Sequence, residues 1–164
     1  MRPEVQIDEI ASCGWVAPLL GGWHAAEWGH LYEGFTAEVA AAELAAMSVP
    51  GAVPTTFVAF AGGGRSEADV LGSVSLFADD ELEGFAHLTP WLGSLYVRES
   101  ARGLGVGRAL VDAVVAAAGR LGVPAVHLFT EGQEAYYRAT GWETIARPQA
   151  HGHVVAVMRL RLTG

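Results

Sequence analysis

One glycine-rich turn combines residue types that could bind an anion. The turn contains seven consecutive residues: Arg102, Gly103, Leu104, Gly105, Val106, Gly107 and Arg108. Alternate glycines let the backbone curl so that successive N–H groups point at one spot. The apolar periodicity that starts at Val106 predicts a helix there, and its positive dipole end would add to that field. The sequence therefore predicts an anion site the size of a diphosphate.

Two familiar nucleotide-binding motifs do not match this turn. A P-loop ends in Gly-Lys followed by Ser or Thr, whereas Gly107 is followed by Arg108 and Ala109. The dinucleotide fingerprint G-x-G-x-x-G needs a third glycine where this chain has Arg108. Three predicted β segments also precede the strand that leads into the turn, whereas that fingerprint is expected after the first strand of its sheet. The sequence therefore disfavours a nucleotide-binding oxidoreductase domain.

A second motif follows after the next predicted strand. Residues 136–142 read Tyr-Tyr-Arg-Ala-Thr-Gly-Trp and lie on and just after a short predicted helix. Together with the Arg102-x-x-Gly105-x-Gly107 turn, this tyrosine pair and its Gly–aromatic step resemble the two signatures of the GNAT superfamily of N-acetyltransferases. The succession of predicted elements also fits that family along nearly the whole chain, most securely over residues 70–162.

The resemblance implies acetyl-CoA as the co-substrate, no metal ion, and roles for residues of both motifs. Backbone amides of residues 102–108 would hold the CoA pyrophosphate. Main-chain groups of Leu95, Tyr96 and Val97 would bind the pantetheine arm as an extra strand would, and one of their N–H groups would hold the oxyanion. Tyr137 would protonate the departing thiolate as general acid. Tyr136 would pack in the core or line the cofactor arm.

The chain departs from the family pattern at one contact. Many members carry Asn seven residues before the tyrosine, where it touches the cofactor. This chain has Thr130 at that position and Gln133 one helical turn before Tyr137. Either side chain could make the contact, and the sequence leaves the choice open.

The general base is also open in the sequence. His24, Glu27 and His30 lie in the early helical region that in this family often borders the acceptor site, and bulk water reached through a short chain is a further possibility for the base. Four other side chains come into consideration for a cationic amine or a metal ion: Asp79, Asp80, His151 and His153. The first three lie at three-residue steps that drift by about 60° each around a helix, which makes a poor metal triad. The last two alternate and could share one strand face, but a third ligand is lacking. The two aspartates are expected in an exposed loop over residues 78–89.

The elements that must position these motifs follow from periodicity and turn residues. The predicted strands cover residues 5–7, 55–61, 70–77, 91–97, 125–129, 142–146 and 154–162. The predicted helices cover a broken, aromatic-rich segment at 17–32, then 37–47 with Thr36 as N-cap, 106–121, and 131–140. The apolar stripe of the third helix runs from Val106 to Leu121, and Gly122 is placed to end it.

This order predicts a single mixed α/β domain over residues 1–164. Length alone favours one domain, and the strand–helix–strand unit over residues 91–129 favours a parallel crossover. The resemblance adds the specific expectation of a GNAT-like fold: a central, mostly antiparallel sheet with one parallel, splayed strand pair, flanked by about four helices.

Composition narrows the classes of partner. Ten Lys and Arg against eighteen Asp and Glu give a net charge of −8, which disfavours nucleic acid and anionic membrane surfaces and favours a cationic partner. The lone Cys13 cannot form an internal disulfide, and the start of the sequence lacks a secretory signal, so a cytoplasmic protein is expected. The tryptophans at 15, 23, 28 and 91 are compatible with an acceptor pocket or a homodimer face.

We interpret the sequence as that of an acetyl-CoA-dependent N-acetyltransferase acting on a primary amine, from a small molecule or a peptide. A ternary complex with direct attack is expected, because Cys13 is far in sequence from both motifs and no other cysteine exists. The alternative is a non-catalytic acyl-CoA-binding or sensor module, which would keep the glycine turn without needing Tyr137.

Overall fold

The computed structural model describes residues 4–162, which form four α-helices and nine strands. The helices are α1 (Ala17–Trp28), α2 (Ala37–Ala45), α3 (Val106–Arg120) and α4 (Glu134–Ala139). The strands are β1 (Val5–Glu9), β2 (Thr55–Ala61), β3 (Val70–Phe77), β4 (Trp91–Val97), β5 (Ala125–Thr130), β6 (Glu143–Ala146), β7 (Gln149–Ala150), β8 (His153–Val154) and β9 (Ala156–Arg161).

Seven strands form one sheet in the order β1-β2-β3-β4-β5-β9-β6, while β7 and β8 form a separate small hairpin. Strands β4 and β5 are parallel, and every other neighbouring pair in the sheet is antiparallel. This is the predicted mixed α/β sheet with one parallel pair, so the fold class is confirmed.

Strand alternation divides the core between the two sheet faces. Phe57 and Ala59 of β2 pack in the cluster that contains the buried face of α3, whereas Val58 and Phe60 pack beneath α1 and α2. Successive side chains of a strand point to opposite faces, so both faces of β2 are apolar. A third cluster surrounds Trp91.

Local sequence signals predicted most helix and strand boundaries correctly. Strands β2, β3 and β4 have the predicted bounds, and the Thr36 hydroxyl accepts a hydrogen bond from the Val39 N–H at 3.2 Å, as an N-cap should. Gly122 has a φ of 76° and follows α3 directly after Leu121. Left-handed glycine is the usual way to end a helix.

Four expectations were wrong. The buried face of α3 differs from the predicted stripe. It includes Val111 and Ala118, which were not predicted to belong to it, whereas Leu121, which was, is 46% exposed. Helix α4 begins at Glu134, three residues later than predicted. The last predicted strand is divided between the β7–β8 hairpin and β9. The loop over residues 78–89 is not wholly exposed, since Leu82 is buried in the cluster around Trp91.

Helices α1 and α2 cross at Gly21. A Cβ at Gly21 would lie 2.7 Å from the Ala41 nitrogen and 2.8 Å from the Ala37 oxygen, both of them backbone atoms. A Cβ at the next residue, Gly22, would meet nothing within 4 Å. The close approach of the two backbones therefore depends on Gly21 and not on Gly22.

We expect Gly21→Ala to lower the free energy of unfolding by about 1–3 kcal/mol, because the added methyl group must push the two helices apart. Gly22→Ala is the matched control, and it should raise the stability by roughly 0.5–1 kcal/mol since alanine is the better helix former. Urea denaturation followed by circular dichroism measures both. Equal effects of the two substitutions would contradict the packing argument.

Candidate active site

The glycine turn, residues 102–108, connects the end of β4 to the first turn of α3. Gly103 and Gly105 have φ angles of 78° and 86°, a left-handed conformation that disfavours residues with a Cβ. Gly105 is also the N-cap of α3. The first N–H groups of a helix have no partner within it. The turn and α3 therefore present backbone donors and a positive helix end together, which is the geometry an anion site needs.

A cavity of about 440 Å³ opens over this turn. Its walls come from the glycine turn, from Val97 at the end of β4 and from Tyr136 of α4. Six of the seven predicted turn residues line it, and Leu104 does not. The structure thus brings one residue of the tyrosine motif to the glycine turn.

The two arginines of the turn each have a partner within the chain. The Arg102 Nε donates to the Val97 carbonyl at 2.9 Å, and its guanidinium lies 5.5 Å from the centre of the Tyr96 ring. The Arg108 Nε donates to Asp112 at 3.0 Å, one helical turn further along α3. The Arg102 side chain therefore links the start of the glycine turn to the end of β4, while Arg108 remains exposed beside the cavity.

Strand β4 separates from β5 almost at once, and we call the gap between them the splay. The two strands share a single paired position, Trp91 with His127. On its other side β4 stays paired with β3, but it carries one extra residue between Gly93 and Tyr96, where Ser94 has a φ of 53°. Such a bulge bends a strand. Beyond Trp91, no residue of β5 pairs with β4 in the part of the chain that the structure describes, so main-chain groups of β4 face the splay without a strand partner.

Tyr137 lies deep in α4. Its side chain is only 6% exposed, in the same cluster as Leu92 of β4. Its ring meets those of Tyr136 and Trp142 edge to face, with centroids 5.2 and 5.8 Å away. Burial raises the pKa of the Tyr137 phenol to about 12, and the neighbouring Tyr136 adds to the rise. The phenol is therefore protonated at neutral pH.

Thr130 and Gln133 lie where β5 turns into α4. The Thr130 hydroxyl accepts a hydrogen bond from the Gln133 N–H at 3.1 Å, which closes the turn that leads into the helix. Gln133 is exposed. Thr130 therefore has a local role in the chain, and only the Gln133 side chain extends freely from this turn.

The sheet face opposite Tyr137 carries a cluster of aromatic rings on Tyr96. Rings of Trp23 and Trp28 from α1 lie 5.6 and 6.2 Å from the Tyr96 ring. His24, 4% exposed, lies beside them, and its Nε2 is 3.1 Å from the Ser73 hydroxyl of β3. Burial lowers the pKa of His24 to about 4. His24 is thus a neutral, hydrogen-bonded core residue.

The remaining histidine pair does not share a face. His151 lies in the turn of the β7–β8 hairpin, where its Nε2 is 3.3 Å from the Tyr32 hydroxyl. His153 lies 3.3 Å from Glu131. Within residues 4–162, no three His, Cys, Asp or Glu side chains are grouped closely enough to hold a metal ion.

Asp80 differs from the expectation of an exposed loop residue. It does not point into solvent; its two carboxylate oxygens lie 3.0 and 3.1 Å from where a Cβ on Gly93 would be. The carboxylate therefore rests against the β4 backbone next to the bulge. Burial raises the pKa of Asp80 to about 7, and Glu81 and Asp79 add to the rise. An isolated glycine inside a strand is a sign of such a close approach, and Gly93 was the available signal.

Comparison with known proteins gives one family. A model of the acetyltransferase (GNAT) family matches residues 22–142, well over half of the chain. A comparison with curated proteins found no match.

Solved structures with the same fold cover nearly the whole chain. A GCN5-related N-acetyltransferase from Kribbella flavida is 24% identical, with 96% of this chain and 98% of that one aligned and a TM-score of 0.67. The yncA protein of Salmonella typhimurium, solved with its cofactor acetyl-CoA, is 19% identical over 99% and 95% of the two chains, at a TM-score of 0.66. An aminoglycoside 6′-N-acetyltransferase complexed with coenzyme A is 15% identical over 95% and 96%, at a TM-score of 0.71.

No helix within residues 4–162 is both long enough and apolar enough to cross a lipid bilayer.

We expect His24 to make the free energy of unfolding depend on pH. Its pKa falls from 6.5 to about 4 on folding. Between these two pH values the unfolded chain binds a proton at His24 and the folded chain does not. Stability is therefore lost as the pH drops from about 6.5 to about 4, by up to roughly 3 kcal/mol.

The measurement is chemical denaturation at several pH values, with His24→Gln compared with the wild type. The amide can still bond to Ser73, so the variant should lack this part of the pH dependence. His30→Gln, which changes an exposed histidine of the same region, serves as the control. A His24→Gln profile that runs parallel to the wild type would show that the His24 pKa is not shifted.

Proposed function

This chain belongs to the GNAT family of acetyltransferases, and from that membership we propose that it moves the acetyl group of acetyl-CoA to a primary amine, within a single catalytic domain. The observation that carries the proposal is the cavity that joins the glycine turn to Tyr136, beside the buried Tyr137 and the open edge of β4. Binding and cleaving this thioester require three parts: a turn that binds the diphosphate, a free strand edge for the pantetheine arm, and a protonated phenol for the leaving thiolate.

The CoA diphosphate would lie at the glycine turn. Backbone N–H groups of residues 102–108 supply hydrogen-bond donors, and the positive end of the α3 dipole supplies a favourable electrostatic field. Arg108 adds a cation at the edge of the cavity, and Arg102 holds the turn in place through the Val97 carbonyl. Glycine at 105 is favoured by its φ of 86°.

The pantetheine arm would enter the splay. Its amides need partners, and the main-chain groups of Leu95, Tyr96 and Val97 are free of β5, so the arm can add to β4 as a strand would. The thioester carbonyl would then face a main-chain N–H of the same stretch. A donor fixed there before the reaction stabilises the charge that develops on the oxygen. On the α4 side, Tyr136 and Gln133 would contact the arm.

The amine would attack the thioester carbonyl directly. A covalent relay would need a reactive thiolate, but Cys13 is only 3% exposed in the cluster under α1 and α2. Burial, together with Asp8, raises the pKa of the Cys13 thiol to about 11. The sole cysteine of the chain is therefore a poor nucleophile.

Tyr137 would protonate the leaving group. As the C–S bond breaks, the phenol gives its proton to the CoA sulfur, and it recovers one from the ammonium of the tetrahedral intermediate. No phenolate then accumulates, which suits a phenol whose pKa is raised to about 12. The acceptor would be a cationic amine, such as a polyamine, an aminoglycoside, a small amine or a peptide N-terminus, in keeping with the net charge of −8.

Acetyl-CoA binding tests the anion site through Gly107. We expect Gly107→Asp to weaken acetyl-CoA binding at least about tenfold, because the new carboxylate repels the diphosphate. The same variant should be no less stable than the wild type, since a negative charge in the first turn suits the helix dipole and a Cβ there would meet only Val97, at 3.8 Å.

Gly107→Ala adds the Cβ without the charge and is the matched control. Thermal-shift titrations with acetyl-CoA, CoA and NAD give both quantities in one assay. The two CoA species should raise the melting temperature of the wild type and NAD should not. Equal affinities of the aspartate and alanine variants for acetyl-CoA would place the diphosphate elsewhere.

The proposed role of Tyr137 as general acid is tested by measuring turnover. We expect Tyr137→Phe to lower kcat for acetyl transfer by about 10²-fold or more, with acetyl-CoA binding nearly unchanged because the ring packing is kept. Thiol release measured with a panel of spermidine, kanamycin and a free peptide N-terminus gives the rates. Tyr136→Phe removes the neighbouring hydroxyl, to which no proton transfer is assigned, and should have the smaller effect. Undiminished kcat in Tyr137→Phe would remove this residue from the mechanism.

A further inference from the structure

The proposed reaction leaves one proton without a destination. A primary amine is an ammonium ion at neutral pH and has no lone pair for attack, so one proton must leave it before the C–N bond forms. The second proton of the tetrahedral intermediate passes to the sulfur through Tyr137, which lies on the α3 and α4 side of the sheet. The first proton needs a different acceptor, because Tyr137 is assigned to the sulfur.

The faces of β4 are fixed by its side chains. Leu92 and Leu95 both lie on the α3 side, three residues apart where a regular strand would place residues two apart on one face. The extra residue of the bulge accounts for the difference. Gly93 and Tyr96 therefore face the opposite side, where Tyr96 packs against α1.

Asp80 occupies the space that Gly93 leaves on that opposite side. Its Oδ2 and Oδ1 lie 3.0 and 3.1 Å from a Cβ built on Gly93, so any larger residue there would displace the carboxylate. Ser94, the residue at the bulge with positive φ, comes next in the strand. The carboxylate thus lies against the β4 backbone beside the stretch that would hold the thioester carbonyl.

From this geometry we infer that Asp80 is the general base, taking one proton from the acceptor ammonium before the amine attacks. The inference rests on the proposed acetyl transfer. The N–H electron pair becomes the nucleophile, the proton goes to the Asp80 carboxylate, and Asp80 returns it to solvent after the products leave. The net reaction releases an acetamide, the CoA thiol and one proton, which balances atoms and charge.

The surroundings of Asp80 suit this role. The titratable groups that face it are Asp79 and Glu81 from its own loop and Tyr32 from the segment after α1, whose own pKa is raised by burial and by Asp80 and Glu81. The Phe77 ring also lies beside the space over Gly93 that the carboxylate occupies. Burial, together with Glu81 and Asp79, raises the pKa of Asp80 to about 7, and no described cation offsets this rise. A base whose pKa lies near the working pH transfers protons most effectively.

The test compares a charged and a neutral nucleophile in Asp80→Asn. With the panel amine of highest turnover, which is protonated at pH 7, kcat/KM should fall by about 10²-fold or more. With hydroxylamine, which is already neutral at pH 7, it should change little, because no proton has to be removed first. Uncatalysed rates are subtracted, and acetyl-CoA binding and circular dichroism show that each variant is folded.

The pH profile supplies a second signature. The wild-type kcat/KM for the charged amine should level off above about pH 7 as Asp80 ionises. The profile of Asp80→Asn should instead rise by about tenfold per pH unit toward the pKa of the amine itself, because only amine deprotonated in solution can react. Asp79→Asn is the matched control. It removes the same charge from the adjacent exposed residue and keeps an acceptor for the Glu81 N–H, and its profile should keep the wild-type shape.

Two results would overturn the inference and leave the proposed function standing: an Asp80→Asn variant as fast as the wild type with the charged amine, or equal losses with the charged amine and with hydroxylamine. The second result would make Asp80 a structural residue. Wild-type protein that binds acetyl-CoA but acetylates none of the panel amines would overturn the proposed function, and the inference with it.

Discussion

Strand β4 is paired with both of its neighbours only at Trp91, and beyond that residue it is bonded to β3 alone. An interior strand normally has its backbone groups paired on both edges, because unpaired buried groups are costly. The open edge of β4 therefore either meets solvent or meets a ligand that supplies the missing partners. The rest of the candidate site is arranged around this edge: the glycine turn at its carboxyl end, α4 on one side, and Asp80 against Gly93 on the other.

The bulge at Ser94 links this open edge to the two faces of the sheet. The extra residue interrupts the regular alternation, so that Leu95 lies on the α3 face and Tyr96 turns toward α1. Without it, every residue from 94 to 97 would change faces, since a shift of one residue inverts the side-chain pattern of a strand. Arg102 then ties the end of β4 to the glycine turn by its bond to Val97.

The sequence predicted those features whose causes are local. Glycines in a turn, an N-cap such as Thr36 and strands with β-branched residues depend on neighbours in the chain, and these predictions held. Asp80 and Leu121 were misjudged because their exposure depends on distant packing. The space for Asp80 is left by Gly93 on the next strand, and Leu121 lies past the end of the face that α3 buries. The partner of His24, Ser73, is 49 residues away in the sequence.

The two titratable groups with opposite tasks lie on opposite faces of β4, and this separation has a chemical consequence. Tyr137 packs with Leu92, while Asp80 lies against Gly93, the adjacent residue, which points the other way. The pKa of Tyr137 is raised by burial and Tyr136, and that of Asp80 by burial, Glu81 and Asp79, so neither group perturbs the other. A carboxylate beside the phenol would raise the pKa of the phenol further and make it a weaker acid toward the sulfur. In the proposed reaction the first proton would leave the amine toward Asp80 on one face of the strand, and the thiolate would receive its proton from Tyr137 on the other face.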